Sequence, residues 1–439
     1  MVEANLGERI AVIGAGISGL TAAYTLRQQG HCPVVFEASD YVGGRIKSFR
    51  RNDFLYDVGA FIYLGSYSDA LALMKEVGLE SELGKFGAYG AMPRGGELHY
   101  LNMSQPLKTA LTSKYISVGS KAKLLKLGAF LARNWKHLNY SDASGLATID
   151  NDTVESFCKR ELNAEIYHYI ASVVIRGPWL SDPSQASIGQ LLWTLKNFFK
   201  PHFYGLDSGM DALPRALAAQ LDVRLNTPIM KVEKHVNKVI VESPDGSEQF
   251  DRAVITTTAP SALSLYPQMN GKARELYQNT NYICSVNTHI ALSKCPENKA
   301  TYIMASPKEN VDFCGVIVDH LKANSRVPAG KGMLTAFCRH EWCLENLHTT
   351  NEEVLDKVLA MLEPYYGDLS NDVEDYEIGR WTEVVPIIPK GRFKAVAAYQ
   401  RSIDPKDRVQ LAGDIAPMGG VNAALVSGRN VAERMMAKV

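Results

Sequence analysis

Neither sign of charge is in excess in this 439-residue chain, where Lys plus Arg and Asp plus Glu each number 47. Binding to nucleic acid runs largely on surplus basic charge, so no such partner is expected. Also missing is any uncharged apolar run of about 18 residues, the length a helix needs to cross a bilayer. Cysteine is sparse and odd in number, with Cys32, Cys158, Cys284, Cys295, Cys314, Cys338 and Cys343 scattered along the chain. Such a set suits a reducing compartment and builds no disulfide framework. Cys338 and Cys343, with His340 between them, come nearest to a metal motif. Their spacing fits no zinc pattern and no second pair answers them, so no metal is expected. Repeats and low-complexity tracts are absent too. The first residues, MVEANLGERIAVIG, include acids and pass directly into a strand, unlike a signal peptide. Together these absences give the expectation of a cytoplasmic protein.

What is present is globular, with 46% apolar and 21% charged residues, a balance that separates the chain from disordered sequences. Its length exceeds one simple core, so two domains are expected. At the N-terminus the apolar run Arg9 to Ile13 leads into Gly14-Ala15-Gly16-Ile17-Ser18-Gly19. Ile17, Leu20, Ala23, Tyr24 and Leu26 then recur at helical spacing. Gly30 and Pro33 end that helix, and Val34-Val35-Phe36 forms a second strand closed by Glu37. This is a complete βαβ dinucleotide-binding unit. Gly14 serves the tight turn, Gly16 the approach to a pyrophosphate, and Gly19 the packing of helix on strand. The helix N-terminus offers free N–H groups to the phosphates. Glu37 is placed to accept hydrogen bonds from the adenosine ribose, which favours a free 2′-OH.

That fingerprint fits FAD and NAD equally. Next come Ala38-Ser39-Asp40-Tyr41-Val42-Gly43-Gly44-Arg45 and then Asp57-Val58-Gly59-Ala60-Phe61. Here the chain resembles the flavin amine oxidase superfamily, which includes monoamine and polyamine oxidases, protoporphyrinogen oxidase and the phytoene desaturases. The resemblance implies FAD. Gly43 and Gly44 would pass close to the pyrophosphate, Arg45 would neutralise it, and Gly59 and Ala60 would run beside the ribityl chain. Ala15, Ser18, Ala38 and Phe61 are the further contacts it implies. Near the other end, Gly413-Asp414 closes a strand and resembles the family's acid at the ribityl and phosphate region. Gly419-Gly420-Val421-Asn422 opens a helix running to about Met436. Its first N–H groups, by resemblance, face the flavin N1 and C2=O edge and favour the negative charge of a reduced flavin.

A middle block, Gly209-Met210-Asp211-Ala212-Leu213-Pro214-Arg215-Ala216-Leu217, also looks like the family's. Asp222 to Leu225 and then Thr227 to Val232 resemble the family's strand whose backbone meets the adenine, at Ile229, and Lys238 to Ser243 and Gln249 to Ile255 are expected as two more strands. Trp381 resembles the family's tryptophan near the flavin. The implied fold is α/β in the amine-oxidase two-domain layout. A discontinuous Rossmann-type FAD domain would take residues 1–65, 206–265 and 381–439, and an α+β substrate domain residues 66–205 and 266–380. No second GxGxxG offers a site for NAD(P)H, so electrons are expected to leave to oxygen, a quinone or a protein. No cysteine follows Cys343, in the region where the monoamine oxidases attach their flavin, so the FAD is expected to be non-covalent.

The substrate half is less legible. Trp179, Trp193, Tyr282, Trp342, Trp381 and Tyr399 are candidates to line a cavity, although large aromatics more often fill cores. The family's amine oxidases carry a lysine bonded through water to flavin N5. The matching strand here, Tyr282 to Leu292, offers Asn287, Thr288 and His289 instead, with Lys294 just beyond. His289 and His340 are polar candidates that more often prove structural, and no catalytic side chain is assigned. Trp381 to Pro386, and Asp182-Pro183-Ser184 with Ser187, look more like the protoporphyrinogen oxidase branch. From Leu98 to Ser141 there is no acid, while Lys108, Lys114, Lys121, Lys123, Lys126, Arg133 and Lys136 carry positive charge. With Leu124, Leu125, Leu127, Phe130 and Leu131 among them, residues 108–136 read as a basic amphipathic segment that suits peripheral contact with the inner face of a membrane. The plainer alternative is a solvated helix face. The expected reaction is hydride removal from a small-molecule substrate, either desaturation of a biosynthetic intermediate or oxidation of an amine to an imine. A rival of another class is a binding protein resembling the GDP-dissociation inhibitors, against which the retained Glu37, Gly44, Arg45 and Gly413-Asp414 argue.

Overall fold

The computed structural model describes residues 7–437 except 88, 106–107, 110–111, 199–201, 324 and 416. Five short strands form a parallel sheet: β1 (Arg9–Ile13), β2 (Cys32–Phe36), β3 (Asp222–Arg224), β4 (Arg252–Ile255) and β5 (Val409–Leu411), ordered β3-β2-β1-β4-β5. Ile10 to Ile13 are buried on both faces, as a parallel strand between helical or sheet layers must be. Ile13 stands opposite Phe36 on one side and Ile255 on the other. The winding thus runs outward from β1 in both directions, and a crevice opens beyond its carboxyl end.

Helix α1 (Ile17–Gln28) and the C-terminal helix α2 (Val421–Met436) cover one face, where Leu20, Ala23 and Leu26 share a core with Leu425 and Val431. They cross closely, because a Cβ on Gly428 would lie 2.1 Å from the Ser18 carbonyl oxygen. The other face packs Ile13, Phe36 and Ile255 against a three-stranded meander and the helix Arg392–Ser402.

A separate seven-stranded sheet, largely antiparallel, runs Val373–Trp381, Ser285–Leu292, Gly332–Cys338, Phe313–Val318, Tyr302–Met304, Tyr89–Arg94 and Glu97–Asn102. Every residue of Ser285–Leu292 is buried. Strand alternation sorts its side chains. Val286, Ile290 and Leu292 join a core with Val354 and Val358 of the helix Asn351–Tyr366. Thr288 shares that face by alternation, while Ala291 packs opposite, with Tyr56 and Val58. Asn287 and His289 share the latter face. A helical layer lies beside this sheet, its core holding Trp179 and Trp193.

Two expectations meet corrections here. The single strand expected from Gln249 to Ile255 is broken at Asp251, whose carboxylate accepts the Arg9 N–H; Gly246–Phe250 belongs to the meander and only Arg252–Ile255 to the parallel sheet. The strand expected from Thr227 begins at Lys231, since Asn226 at φ +52° and Pro228 hold the chain out of extended pairing. Trp179, Trp193 and Trp342 are buried in core clusters. Lys294 lies beyond its strand, largely exposed and paired with Asp372. In the basic segment, the helix Val118–Asn134 buries Leu127 and Leu131, and Lys123 and Lys126 are tied back to Leu162 O and Glu161. No helix among the described residues is long and apolar enough to cross a membrane. Among them, too, no group of three or more His, Cys, Asp and Glu is arranged to hold a metal.

Candidate flavin site

The glycine turn after β1 and the glycine pair after β2 meet beyond the sheet's carboxyl edge. Gly14 adopts φ +103°, a conformation closed to other residues without strain. Its N–H donates to Phe36 O, and the Gly43 N–H donates to Ala15 O, so that Gly16 and Gly43 form a parallel bridge. A Cβ on Gly44 would stand 3.4 Å from the Gly16 Cα, whereas one on Gly16 would meet nothing within 4 Å. Open space therefore lies over Gly16, at the start of α1, which has no side-chain cap. The Ser18 hydroxyl is buried there without a protein partner. Glu37 anchors the turn, its carboxylate accepting from the Ala15 N–H at 2.8 Å and from both the N–H and hydroxyl of Ser39. Ala38 follows it, and the Thr227 N–H donates to Glu37 O beside them. Ile229, two residues on, packs against the core on the far face of the sheet.

Arg45 reaches across this crevice. Its guanidinium pairs with Asp414 at 2.5 Å and donates to the carbonyls of Glu383 and Val384. Burial opposes its charge, and Asp414 more than offsets that, raising its pKa. About a third of the Arg45 side chain (31%) stays exposed, so a phosphate can reach it. Its backbone carbonyl accepts the Ala60 N–H, and Trp381 Nε1 donates to Val58 O, which fixes the stretch ahead of Phe61. Gly413 follows β5, and Gly420-Val421 opens α2, also without a side-chain cap. Asn422 differs in role: its side chain accepts the Ala70 N–H and donates to Asp69, so only its backbone belongs to that helix start.

Two residues with weak or no sequence signal join the site. The Tyr282 hydroxyl donates to Asp414 at 3.3 Å and accepts from the Ala259 N–H, and burial raises its pKa. Arg392 is buried nearby, donating to the Thr280 hydroxyl with Nη2 left without a protein partner. Tyr282 was legible only as an aromatic, and Arg392 carried no motif at all. A turn that only glycine fits, an orphaned buried hydroxyl, two uncapped helix starts and a partly exposed arginine suit a dinucleotide carrying a diphosphate.

The two histidines resolve differently. His340 Nδ1 accepts the Cys284 N–H, a structural use. His289 is fully buried, and desolvation chiefly holds its pKa down, at about 4 against an ordinary 6.5, with Asp319, Lys322, Asp57 and Arg326 around it. Thr335 gives its one hydroxyl proton to Asp319, so His289 Nδ1 donates to Thr335 at 2.9 Å. Because the folded pKa lies below the unfolded one, the unfolded chain binds the proton first. Stability is therefore lost as pH falls from 6.5 toward 4, by on the order of 3 kcal/mol from this residue. His289→Gln is expected to remove that share, read from denaturant midpoints at neutral pH and near the lower limit of this window.

Comparison with known proteins agrees with this geometry. A chloroplastic/mitochondrial protoporphyrinogen oxidase 2 of Arabidopsis thaliana is 29% identical over 208 residues, 45% of this chain. The match spans 38% of that relative's length. A coproporphyrinogen III oxidase of Staphylococcus aureus is 22% identical across 98% of this chain and 99% of its own. The structure of a cyclohexylamine oxidase from Brevibacterium oxydans IH-35A superposes with a TM-score of 0.79 at 16% identity, covering 97% of this chain and 98% of that one. The profile of the flavin containing amine oxidoreductases matches residues 17–436. With nearly its whole length inside that match, and the glycine turns, Arg45 and Asp414 gathered at one crevice, the chain belongs to the flavin-containing amine oxidoreductase family.

Proposed function

We propose that the chain holds one FAD non-covalently and removes hydride from a C–H bond of an apolar biosynthetic intermediate, of the tetrapyrrole or polyene kind. The observation that carries the cofactor reading is the contact of the two glycine turns beside Arg45 and Asp414. Gly14, Ala15, Gly16, Ser18 and Gly19, with Gly43 and Gly44, take the pyrophosphate; Glu37 and Ala38 take the ribose and Ile229 the adenine. Arg45 offsets the phosphate charge. Gly59, Ala60, Phe61, Trp381, Gly413, Asp414 and the helix start Gly420-Val421-Asn422 flank the ribityl chain and ring. When bound, the flavin supplies the hydride acceptor.

The protein's own part is to orient and to exclude water. Phe61, Ile62, Leu64, Met92, Met103, Val385 and Ile387 are partly exposed apolar residues packed around one core that holds Phe203, Tyr302 and Phe337. Such side chains suit contact with a hydrocarbon or ring system. This favours desaturation over amine oxidation. The substrate loses a hydride and a proton, leaving a new double bond, and oxygen recovers the two electrons as hydrogen peroxide. Anaerobic mixing of the holoprotein with porphyrinogens, polyene precursors or amines tests this through the oxidised-flavin absorbance. Bleaching by a porphyrinogen or polyene is the expected result, and bleaching by amines alone would assign the other branch. A purified protein that cannot take up FAD would restore the binding-protein rival.

The basic segment 108–136 is proposed to touch an anionic membrane surface. Val118 (82%) and Leu125 (77%) are exposed on its helix, and Ala122, Ala129 and Ala132 continue the same stripe. Leu125→Asp is expected to cut co-sedimentation with phosphatidylserine vesicles several-fold, and unchanged sedimentation would refute the contact.

A further inference from the structure

Beneath the Val58–Phe61 segment lies a set of four charges that the flavin site does not use. Asp57 ends the strand Phe54–Asp57, and its carboxylate pairs with the Arg326 guanidinium and, at 3.6 Å, with Lys322 Nζ. The same carboxylate accepts from the Ser48 hydroxyl at 2.7 Å and the Met210 N–H at 3.1 Å. Lys322 is also ion-paired with Asp319. Arg326 donates to Leu206 O, and its own carbonyl accepts the Leu55 N–H. All four side chains are shut off from solvent. Two acids and two bases sum to zero, and His289 beside them is neutral.

Burying four charges is a poor way to gain stability, because well-packed apolar residues of similar volume do as well or better. The location gives the cluster another use. Lys322 Nζ lies 5.5 Å from the centre of the Phe61 ring, which stacks on Phe337 at 5.7 Å. Phe61 itself is only partly buried. The segment is held by Asp57 at one end, by Trp381 at Val58 and by the Arg45 carbonyl at Ala60. One residue, Asp57, therefore joins the charges of the 319–326 loop to the stretch on which the ring would rest.

We propose that Lys322 and Asp319 are positioning residues that hold Val58–Phe61 in place and balance the charge beneath it, so that together they set the reduction potential of the bound flavin. This rests on the reading that the flavin ring lies against Gly59–Phe61. Loss of Lys322 leaves one excess negative charge and makes an anionic reduced flavin harder to form. Loss of Asp319 leaves one excess positive charge and makes it easier. A packing defect would give no such opposition of sign.

The test is a dye-equilibrated reduction of the FAD-loaded protein. Lys322→Met is expected to lower the reduced-to-oxidised ratio at a given dye poise, and Asp319→Asn to raise it, each by about tenfold. Lys322→Arg, which keeps the charge, should restore the wild-type ratio. Asp319→Asn changes almost no volume, so it decides the matter even if Lys322→Met fails to fold. FAD bound with an unshifted potential in Asp319→Asn, or both variants moving the same way, would overturn the inference. A wild-type protein that takes up no FAD would overturn the flavin reading on which it rests.

Discussion

Replacing Gly19 by valine is expected to yield a protein without flavin and with a weakened N-terminal sheet. Any Cβ at this position would lie 2.0 Å from the Gly14 carbonyl oxygen and 2.7 Å from the Thr256 hydroxyl. The first contact is with backbone that cannot rotate away, and Gly14, at φ +103°, shapes the turn proposed to take the phosphates. Thr256 is committed as well, its hydroxyl donating to Ile13 O and Gly14 O. Relief therefore means lifting α1 off β1, which breaks the packing of Leu20 and Ala23 against α2. Overpacking of this kind costs about 3 kcal/mol, and more where backbone is hit. Visible absorbance of the purified variant and its thermal midpoint measure both effects. A yellow protein of wild-type midpoint would mean that α1 does not pack as described.

Glu37→Ala acts more locally and with comparable effect on binding. The carboxylate holds the Ala15 N–H and two donors of Ser39, and in the proposed complex it also accepts from the ribose. Its removal leaves the turn unanchored and the ribose without an acceptor. Hydrogen bonds to a charged group contribute about 1.5–3 kcal/mol, so the expected loss of FAD affinity is roughly 10–100-fold. The fold should survive, since Glu37 is only partly buried and lies at the end of β2. Equilibrium dialysis against FAD measures the change, and undiminished affinity would remove Glu37 from the site.

The N-terminal βαβ unit is legible in the sequence because its demands are local. Turn, helix start and strand each impose their own residues on a short window, as in Arg9 to Glu37, and the structure keeps those elements in that order. The break at Asp251 escaped because it depends on the partner each side takes, Gln249 and Phe250 pairing in the meander and Arg252 to Ile255 in the parallel sheet. Tyr282 and Arg392 escaped for a related reason: they reach Asp414 and Thr280 across more than a hundred residues of chain. Asp57 stands in a motif, but Asp319, Lys322 and Arg326 look like ordinary surface residues in sequence, and only the packing of Asp319, Lys322 and Arg326 against the strand Phe54–Asp57 buries the four together. Asn422 shows the reverse case, a motif position whose side chain the fold spends on the neighbouring helix Ser68–Glu76.

The most direct test of the central claim is titration of the flavin-free protein with FAD, followed by denaturation and filtration. Saturation at one FAD per chain and recovery of all the flavin in the filtrate as intact FAD are the expected results. Failure to bind FAD, or flavin that stays with the denatured chain, would contradict it.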